Sequence, residues 1–532
     1  MESVINDTLQ GESRHAITIP DTAIDGSGQL ILKAYPSRFS EVVEGLDGIF
    51  KRPHGCFEQT SSTTYPSVLA LSYLKSTKQS MPEIETKALR YIQEGYQRLL
   101  TYEVPGGGFD WYGRAPANKT LTAYGLMEFR DIDQVYPVDR DLIKRTADWL
   151  LSQRLRDGSW EPDNRFNIGY NGDQKLATTA YIAWSIFDGS TPAEAVATKN
   201  WLLQHSPENV ESGYTLALVC NALQMIAEPA ESKPWLDELL KRIDTDDSGK
   251  MAWWENGTGR TVFYGTGDAG NTETTAAAAL ALIESQQNGN TLSKTLRWLA
   301  SKRDSKGTWQ TTQATVLALK ALLDGSREAT ESKVDRQISV LRNGQLLKEF
   351  KLKANQPIVQ QFVINGIGAG ESFELQLEEG ELSGVGYQIT TRHNELEQDL
   401  PPAKSPIEIK LAYDTKLLSV DDEVSVSATI KSNLETQAAM VMVTLPVPPG
   451  FAAKMDPFEK LVADRKIDKY EQTAQNVILY LRGLEPAESI EFQYQLRATM
   501  PIKATVKPAM AWLYYDPDVR GLSDEALLTV QQ

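Results

Sequence analysis

From about Ser37 to Gly325 one unit recurs: a loop carrying glycine and an aromatic residue, followed by a helix rich in threonine and alanine. Gly107-Gly108-Phe109 leads to Thr120-Leu121-Thr122-Ala123-Tyr124, and Gly158-Ser159-Trp160 leads to Ala177-Thr178-Thr179-Ala180-Tyr181. Gly249-Lys250-Met251-Ala252-Trp253 leads to Thr272-Glu273-Thr274-Thr275-Ala276, and Gly307-Thr308-Trp309 leads to Thr311-Thr312-Gln313-Ala314-Thr315. Glu211-Ser212-Gly213-Tyr214-Thr215 is a weaker fifth copy. A single helix pair cannot bury its apolar face alone, so repeated pairs with small residues on the inner helices predict a closed α/α toroid over residues 36–325.

The texture on either side is different. Between His15 and Tyr35 the pattern alternates, as in Ile17-Thr18-Ile19 and Leu30-Ile31-Leu32, with Asp25-Gly26-Ser27-Gly28 reading as a hairpin turn. Alternation returns after Lys333 in Ile338-Ser339-Val340-Leu341-Arg342 before the turn Asn343-Gly344, and in Phe362-Val363-Ile364 before Asn365-Gly366. It then runs to the end of the chain. The helical unit is therefore expected to be inserted in a β domain split between residues 14–35 and 333–398. Asp399 to Pro406, with Pro401-Pro402, reads as a linker, and residues 407–532 as a separate β-sandwich.

The strongest chemical signal is Gly55-Cys56-Phe57-Glu58-Gln59, just before and within a helix-like run from Phe57 to Leu74. On a tight turn the Cys56 thiolate can attack the side-chain carbonyl carbon of Gln59 and expel ammonia, leaving an internal thioester. Groups held near attack distance by their own backbone have a high effective molarity, and exclusion of water preserves the product. Gly55 permits the backbone angle such a ring demands, and N–H groups at the helix start can stabilise a thiolate or an oxyanion. Four residues by themselves leave an inert, buried cysteine beside a surface glutamine as the simpler reading.

The wider segment changes that balance. Tyr35-Pro36-Ser37, Val42-Val43-Glu44-Gly45-Leu46 and Arg52-Pro53-His54-Gly55-Cys56-Phe57-Glu58-Gln59-Thr60 closely resemble the thioester segment of the α2-macroglobulin and complement family. The family motif Gly-Cys-X-Glu-Gln is matched at Gly55, Cys56, Glu58 and Gln59, with Phe57 in the bacterial style and His54 where a tyrosine is common. The resemblance extends over nearly the whole chain. It implies a CUB-like β domain (14–35 and 333–398), an inserted α/α-toroid thioester domain (36–325) and a C-terminal macroglobulin-like receptor-binding β-sandwich (407–532).

It also implies a function, that of a single-turnover covalent trap and protease inhibitor with a defence role, and not an enzyme. A protease cuts a bait segment, the protein rearranges, and Gln59 acylates an amine or hydroxyl on the target protease or another protein while Cys56 leaves, with Glu58 in support. Bait and upstream macroglobulin domains are absent from this sequence, so the chain is expected to be the C-terminal portion of a larger, bacterial protein that is secreted, periplasmic or at the cell surface. No cofactor is implied. Hydroxyl-preferring relatives carry a histidine downstream of the cysteine. The corresponding stretch, Trp160 to Gly169, has none, and Asn164 or Asn167 takes its place, which implies a preference for amines. Tyr514 and Tyr515, in Ala511-Trp512-Leu513-Tyr514-Tyr515, hold the family position of a shield over the thioester, although a core strand explains that run equally well.

Composition narrows the alternatives. With 71 acidic against 54 basic residues the formal charge is −17, which argues against nucleic acid or an anionic membrane surface as partner. No apolar run reaches membrane-span length, and Met1-Glu2-Ser3-Val4 lacks the features of a signal peptide. Cys56 and Cys220 are the only cysteines, so there is no disulfide framework, and Cys220 reads as a core residue. Four scattered histidines give no metal-ligand spacing, and His54 is too close in sequence to Cys56 for a relaxed catalytic pair. Trp149 to Gln153 with Gly158-Ser159-Trp160 resembles the Gln-Trp repeat of triterpene cyclases, and Asp244-Thr245-Asp246-Asp247 resembles their acid motif. The first is expected to report shared barrel packing and the second a solvated loop. A non-covalent binding module with an inactive thioester stays open beside the covalent trap.

Overall fold

The computed structural model describes residues 1–9, 11–35, 50, 52–77, 81–163, 173–187, 192–257, 259–286, 289–305, 307–326, 335–353, 359–380, 385–395, 405–435, 437–514 and 516–532. The chain forms two compact units, Met1–Asn164 with Gly169–Glu397, and Gln398–Gln532.

The first unit opens with strands β1 (Glu2–Thr8), β2 (Glu12–Thr18) and β3 (Gly28–Tyr35). Its helical part contains α1 (Phe57–Thr77), α2 (Pro82–Leu100), α3 (Lys119–Asp133), α4 (Arg140–Ser152), α5 (Gln174–Ile186) and α6 (Pro192–Leu202). These are followed by α7 (Gly213–Ile226), α8 (Pro229–Lys241), the short pair β4 (Asp244–Thr245) and β5 (Ala252–Trp253), α9 (Gly267–Ser285), α10 (Gly289–Ser301) and α11 (Thr312–Ser326). Helix α1 packs on α3, α3 on α5, α5 on α7, α7 on α9, α9 on α11, and α11 returns to α1, which closes the toroid. Helices α2, α4, α8 and α10 each pack outside the inner helix that precedes them.

Packing position explains composition. Inner helices have neighbours on every side, so α9 is buried without interruption from Thr272 to Leu282 and α7 from Gly213 to Leu223. Outer helices bury one stripe, such as Ala88, Ile92, Gly95 and Leu99 of α2. The recurring loop has a specific task. The backbone N–H of Phe109, Trp160, Trp254 and Trp309 donates to Oγ1 of Thr122, Thr179, Thr275 and Thr315, at 2.8, 3.0, 3.1 and 3.0 Å. Each indole Nε1 of Trp160, Trp254 and Trp309 then donates to a carbonyl in the last turn of the preceding outer helix, Leu150, Leu239 or Leu299, at 2.7–2.8 Å. One aromatic residue thus ties the end of an outer helix to the start of the next inner one. In the third copy this residue is Trp254, one place beyond the expected Trp253, which stacks on Trp298. The expected fifth copy has no such loop, because Gly213 and Tyr214 already belong to the first turn of α7, capped by Ser212.

After the toroid come β6 (Arg336–Arg342), β7 (Gln345–Leu352), β8 (Gln360–Ile367), β9 (Ser372–Glu379) and β10 (Gly386–Arg392). Two antiparallel sheets result, ordered β1-β10-β3-β8 and β2-β9-β6-β7, each mixing strands from before and after the helices. Leu30, Leu32, Tyr387 and Ile389 of one sheet share a core with Ile17, Val340, Leu375 and Leu377 of the other. Strand β1 lies upstream of residue 14, where the alternation first shows. The Asp25–Gly28 hairpin is corrected: β2 and β3 do not pair but enter different sheets, so this turn carries the chain from one sheet to the other. Asn343-Gly344 does join a hairpin, β6 to β7. Asn365-Gly366 does not, since both lie within β8, where Gly366 at φ +73° forms a bulge opposite Gly28 and Gln29. Asn6 of β1 fastens the sandwich to the toroid, donating to the Arg303 carbonyl at 2.6 Å and accepting from buried Gln388 at 2.8 Å.

In the second unit, Ile407–Tyr413, Glu423–Ser432, Ser489–Ala498 and Phe451–Ala453 form one sheet in that order. A second comprises Lys469–Gln472, Asn476–Leu484, Ala438–Pro446, Met510–Leu513 and Asp516–Leu522. A third joins Leu417–Ser419, Ala526–Gln531 and Ile502–Val506. Alternate residues Val424, Val426, Ala428 and Ile430 meet Val441, Val443, Val477 and Leu479 in the core. The expectation of β structure to the end of the chain needs correcting at Asp456–Ala463, a helix with proline in its first turn that buries Phe458 and Leu461. Of the expected linker only Ser405 and Pro406 are described.

Two expectations follow from the toroid. Thr179→Val keeps the shape of a fully buried residue but leaves the Trp160 N–H unpaired; chemical denaturation should show a loss of roughly 1–3 kcal/mol. Glu128 of α3 is fully buried, and among the described residues neither carboxylate oxygen makes a hydrogen bond of good geometry, the Ser61 hydroxyl being its polar aid. Burial, opposed by the Ser61 hydroxyl and reinforced by the Asp131 charge, pushes its carboxyl up from 4.5 to about 8. Below pH 4.5 it is protonated in both folded and unfolded chains. Between 4.5 and about 8 only the unfolded chain releases the proton, so stability falls as pH rises, by up to about 1.4 kcal/mol per pH unit. Glu128→Gln removes this titration. Melting curves should show its advantage over wild type growing from pH 5 to 8 and constant above that.

Candidate functional site

Helix α1 begins at the tetrad. Phe57 supplies the first helical N–H, which donates to the Trp111 carbonyl at 2.8 Å, and the Thr60 N–H returns to the Cys56 carbonyl at 2.9 Å. Phe57 packs against Tyr102 and Phe109, with ring centroids at 6.1 and 5.1 Å. Cys56 and Glu58 are fully buried and Gln59 is 4% exposed.

The Gln59 side chain turns back over the turn that precedes its own helix. Its Oε1 accepts the Cys56 backbone N–H at 3.1 Å. A Cβ placed on Gly55 would lie 1.7 Å from the same oxygen, and Gly55 has φ +79°, so only glycine fits on both counts. The carboxamide and the thiol therefore belong to one closed, buried turn. Behind it, the Gly55 carbonyl accepts from the Tyr102 hydroxyl at 2.5 Å and from Arg98 Nη2 at 2.8 Å. Arg98 Nε also donates to the Tyr102 oxygen at 3.0 Å. Burial above all holds the Tyr102 phenol protonated; the Thr60 and Arg98 contacts oppose and the neighbouring Cys56 sulfur adds.

Glu58 projects from the first turn of α1 toward α11, where Thr312 Oγ1 donates to its Oε1 at 2.7 Å. The adjacent Thr311 Oγ1 donates to Oε1 of buried Glu273 on α9 at 3.3 Å. Burial, with the Glu58 charge adding and the Thr261 and Thr311 hydroxyls opposing, pushes the Glu273 carboxyl up to about 8. Phe263, in the loop before α9, packs on Tyr124 and Tyr181 with centroids at 5.4 and 5.8 Å.

The other candidates separate clearly. His54 is exposed and its Nδ1 pairs with the Arg52 carbonyl at 3.0 Å. His205 sits on Trp201, and His15 and His393 belong to the β-sandwich part. Among the described residues no group of His, Cys, Asp or Glu is arranged to hold a metal, and no helix is long and apolar enough to cross a membrane. Cys220 is buried in α7, and burial alone raises its thiol pKa. The half-buried Asp246 caps its own loop by accepting the N–H groups of Ser248 and Met251, as a surface turn does. Tyr514 lies in the second unit just after Met510–Leu513; it is half-buried and its N–H donates to the Met440 carbonyl at 2.9 Å. Asn164, Asn167 and Tyr515 lie outside the described residues. Arg98, Tyr102 and Thr312 went unread in the sequence because each reaches the tetrad from another helix or its end.

Residues 31–324 match the model of the A-macroglobulin TED domain, and residues 436–522 match that of the A-macroglobulin receptor binding domain. Mouse alpha-2-macroglobulin-like protein 1 is 24% identical over 94% of this chain, and chicken ovostatin 22% over 94%. The chain spans 35% of the length of each. Native Escherichia coli alpha-2-macroglobulin, from domain MG7 to the C-terminus, superposes with TM-score 0.68 at 18% identity, covering all of this chain and 82% of that one. Salmonella alpha-2-macroglobulin reacted with methylamine gives 0.69 at 16%, covering all of this chain and 33% of that one. A toroid matched along its full length, followed by a matching receptor-binding region, makes this chain a member of the α2-macroglobulin family.

Proposed function

We propose that Cys56 and Gln59 condense into an internal thioester, and that the chain is the covalent-capture portion of a larger protease-trapping protein. The observation that carries this reading is the Gln59 carboxamide folded back onto the Cys56 N–H within a buried turn that only glycine can open. The Cys56 sulfur bonds to Gln59 Cδ, and the side-chain nitrogen leaves as ammonia with the thiol proton. An incoming amine, such as a lysine of the target, then bonds to the same carbon; the C–S bond breaks, and the thiolate takes the amine proton. Each molecule acts once. Likeness to a Salmonella protein described as reacted with methylamine supports amine attack. Bait cleavage as trigger, upstream macroglobulin domains as context, a bacterial source and a location outside the cytoplasm belong to the same proposal.

Intact mass should find the native chain lighter than its sequence by one ammonia. Cys56→Ala and Gly55→Ala should both have full mass, the second because its Cβ occupies the place of Gln59 Oε1. Cys56 should resist thiol reagents until methylamine is added, with reductant present throughout; equal labelling before and after would refute the bond. With asparagine in place of the family histidine, coupling to methylamine should be much faster than to glycerol at matched concentration. Equal yields would point to an unassigned catalyst.

A further inference from the structure

We infer that Arg98 and Tyr102 are positioning residues that turn the Cys56 N–H into the oxyanion donor for the Gln59 carbonyl, an inference that rests on the thioester reading above. A peptide bond is planar, so fixing its oxygen fixes the direction of its N–H. The Gly55 oxygen is held by two donors from the end of α2, and those donors hold each other: Arg98 Nη2 and the Tyr102 hydroxyl reach the oxygen at 2.8 and 2.5 Å, and Arg98 Nε reaches the Tyr102 oxygen at 3.0 Å. The other edge of the same peptide presents the Cys56 N–H to Gln59 Oε1 at 3.1 Å. Donation to a carbonyl polarises the whole amide, so a charged guanidinium and a buried phenol on the oxygen make the N–H a stronger donor.

The proposed chemistry uses this donor twice. When the Cys56 sulfur adds to Gln59 Cδ, the carbonyl electron pair moves to Oε1; collapse of that intermediate expels ammonia. When an amine adds to the thioester, the pair moves to the same oxygen, and collapse expels the Cys56 thiolate. A fixed N–H aimed at the oxygen before charge develops needs no reorganisation when it does. Phe57 packs on the ring of Tyr102, so Tyr102→Phe keeps that contact and removes only the hydroxyl.

The test compares the full chain with Tyr102→Phe, Arg98→Met and Arg98→Lys by intact mass, by the rate of methylamine coupling, and by methylamine difference infrared spectra of chains labelled with δ-¹³C-glutamine. In these spectra only the reacting carbonyl changes. Tyr102→Phe and Arg98→Met should each slow coupling by roughly tenfold, below the loss for deleting an oxyanion donor outright. The thioester carbonyl stretch should move to higher frequency, Arg98→Lys should recover part of both effects, and melting temperature should not track them. A wild-type rate with an unmoved stretch in both variants overturns the inference. A slower rate with an unmoved stretch also overturns it, because the residues would then act only through the fold. A native chain of full mass that methylamine does not alter overturns the thioester reading itself, and the oxyanion role falls with it.

Discussion

A buried backbone N–H that ends on a threonine hydroxyl is the interaction from which the ring is built. Phe109, Trp160, Trp254 and Trp309 each make it, and in each case the loop would otherwise bury an unpaired donor where the chain turns into an inner helix. Threonine suits the task because its hydroxyl also donates, as Thr122 does to the Asn118 carbonyl at 2.6 Å and Thr315 to the Thr311 carbonyl at 2.8 Å. At α1 the arrangement changes. The Phe57 N–H goes to the Trp111 carbonyl, and the turn before it is held by Arg98 and Tyr102. Among the described residues, the inner helix held this way is the one that carries Cys56 and Gln59.

That division decides what the sequence reveals. The tetrad stands out in the sequence because its residues lie within a single turn, and the toroid because its clamp repeats. Trp253 and Trp254 are harder, since two adjacent tryptophans satisfy the pattern equally and only packing decides which one caps the outer helix. Asp25–Gly28 reads as a hairpin because turn residues fix where a chain bends, not whether its two arms pair with each other or join separate sheets. Asn365-Gly366 is legible as positive-φ chemistry, but a bulge inside a strand uses the same residues as a turn. The helix Asp456–Ala463 is only two turns long, with Phe458 and Leu461 alone to mark its buried side. Arg98 and Tyr102 stand 43 and 47 residues from Gly55, and no local pattern links a helix end to a carbonyl so distant.

Glu128 and Glu273 show a different kind of silence. In composition they are two among 71 acidic residues, yet both are fully buried with their carboxyls pushed up to about 8. Burying an ionisable group with incomplete hydrogen bonding works against folding, and a toroid of alanine and threonine does not need them for packing. Glu128 lies on α3 near Tyr65 and Tyr124; Glu273 lies on α9 near Glu58 and Tyr181. Adjacent residues Thr311 and Thr312 donate to Glu273 and Glu58 respectively.

The position of these acids bears on the proposed reaction. Thr312 at the start of α11 meets Glu58 in the first turn of α1, so two inner helices present their N-termini at the Cys56 end of the ring. Helix N-termini favour anions, here an oxyanion on Gln59 and a departing thiolate on Cys56. The charge of an ionised Glu273 would instead act on Glu58. At neutral pH burial keeps Glu273 largely protonated, so the burial that works against stability also limits the negative charge set beside Glu58. Above about pH 8 Glu273 ionises, and its charge then works against that of Glu58.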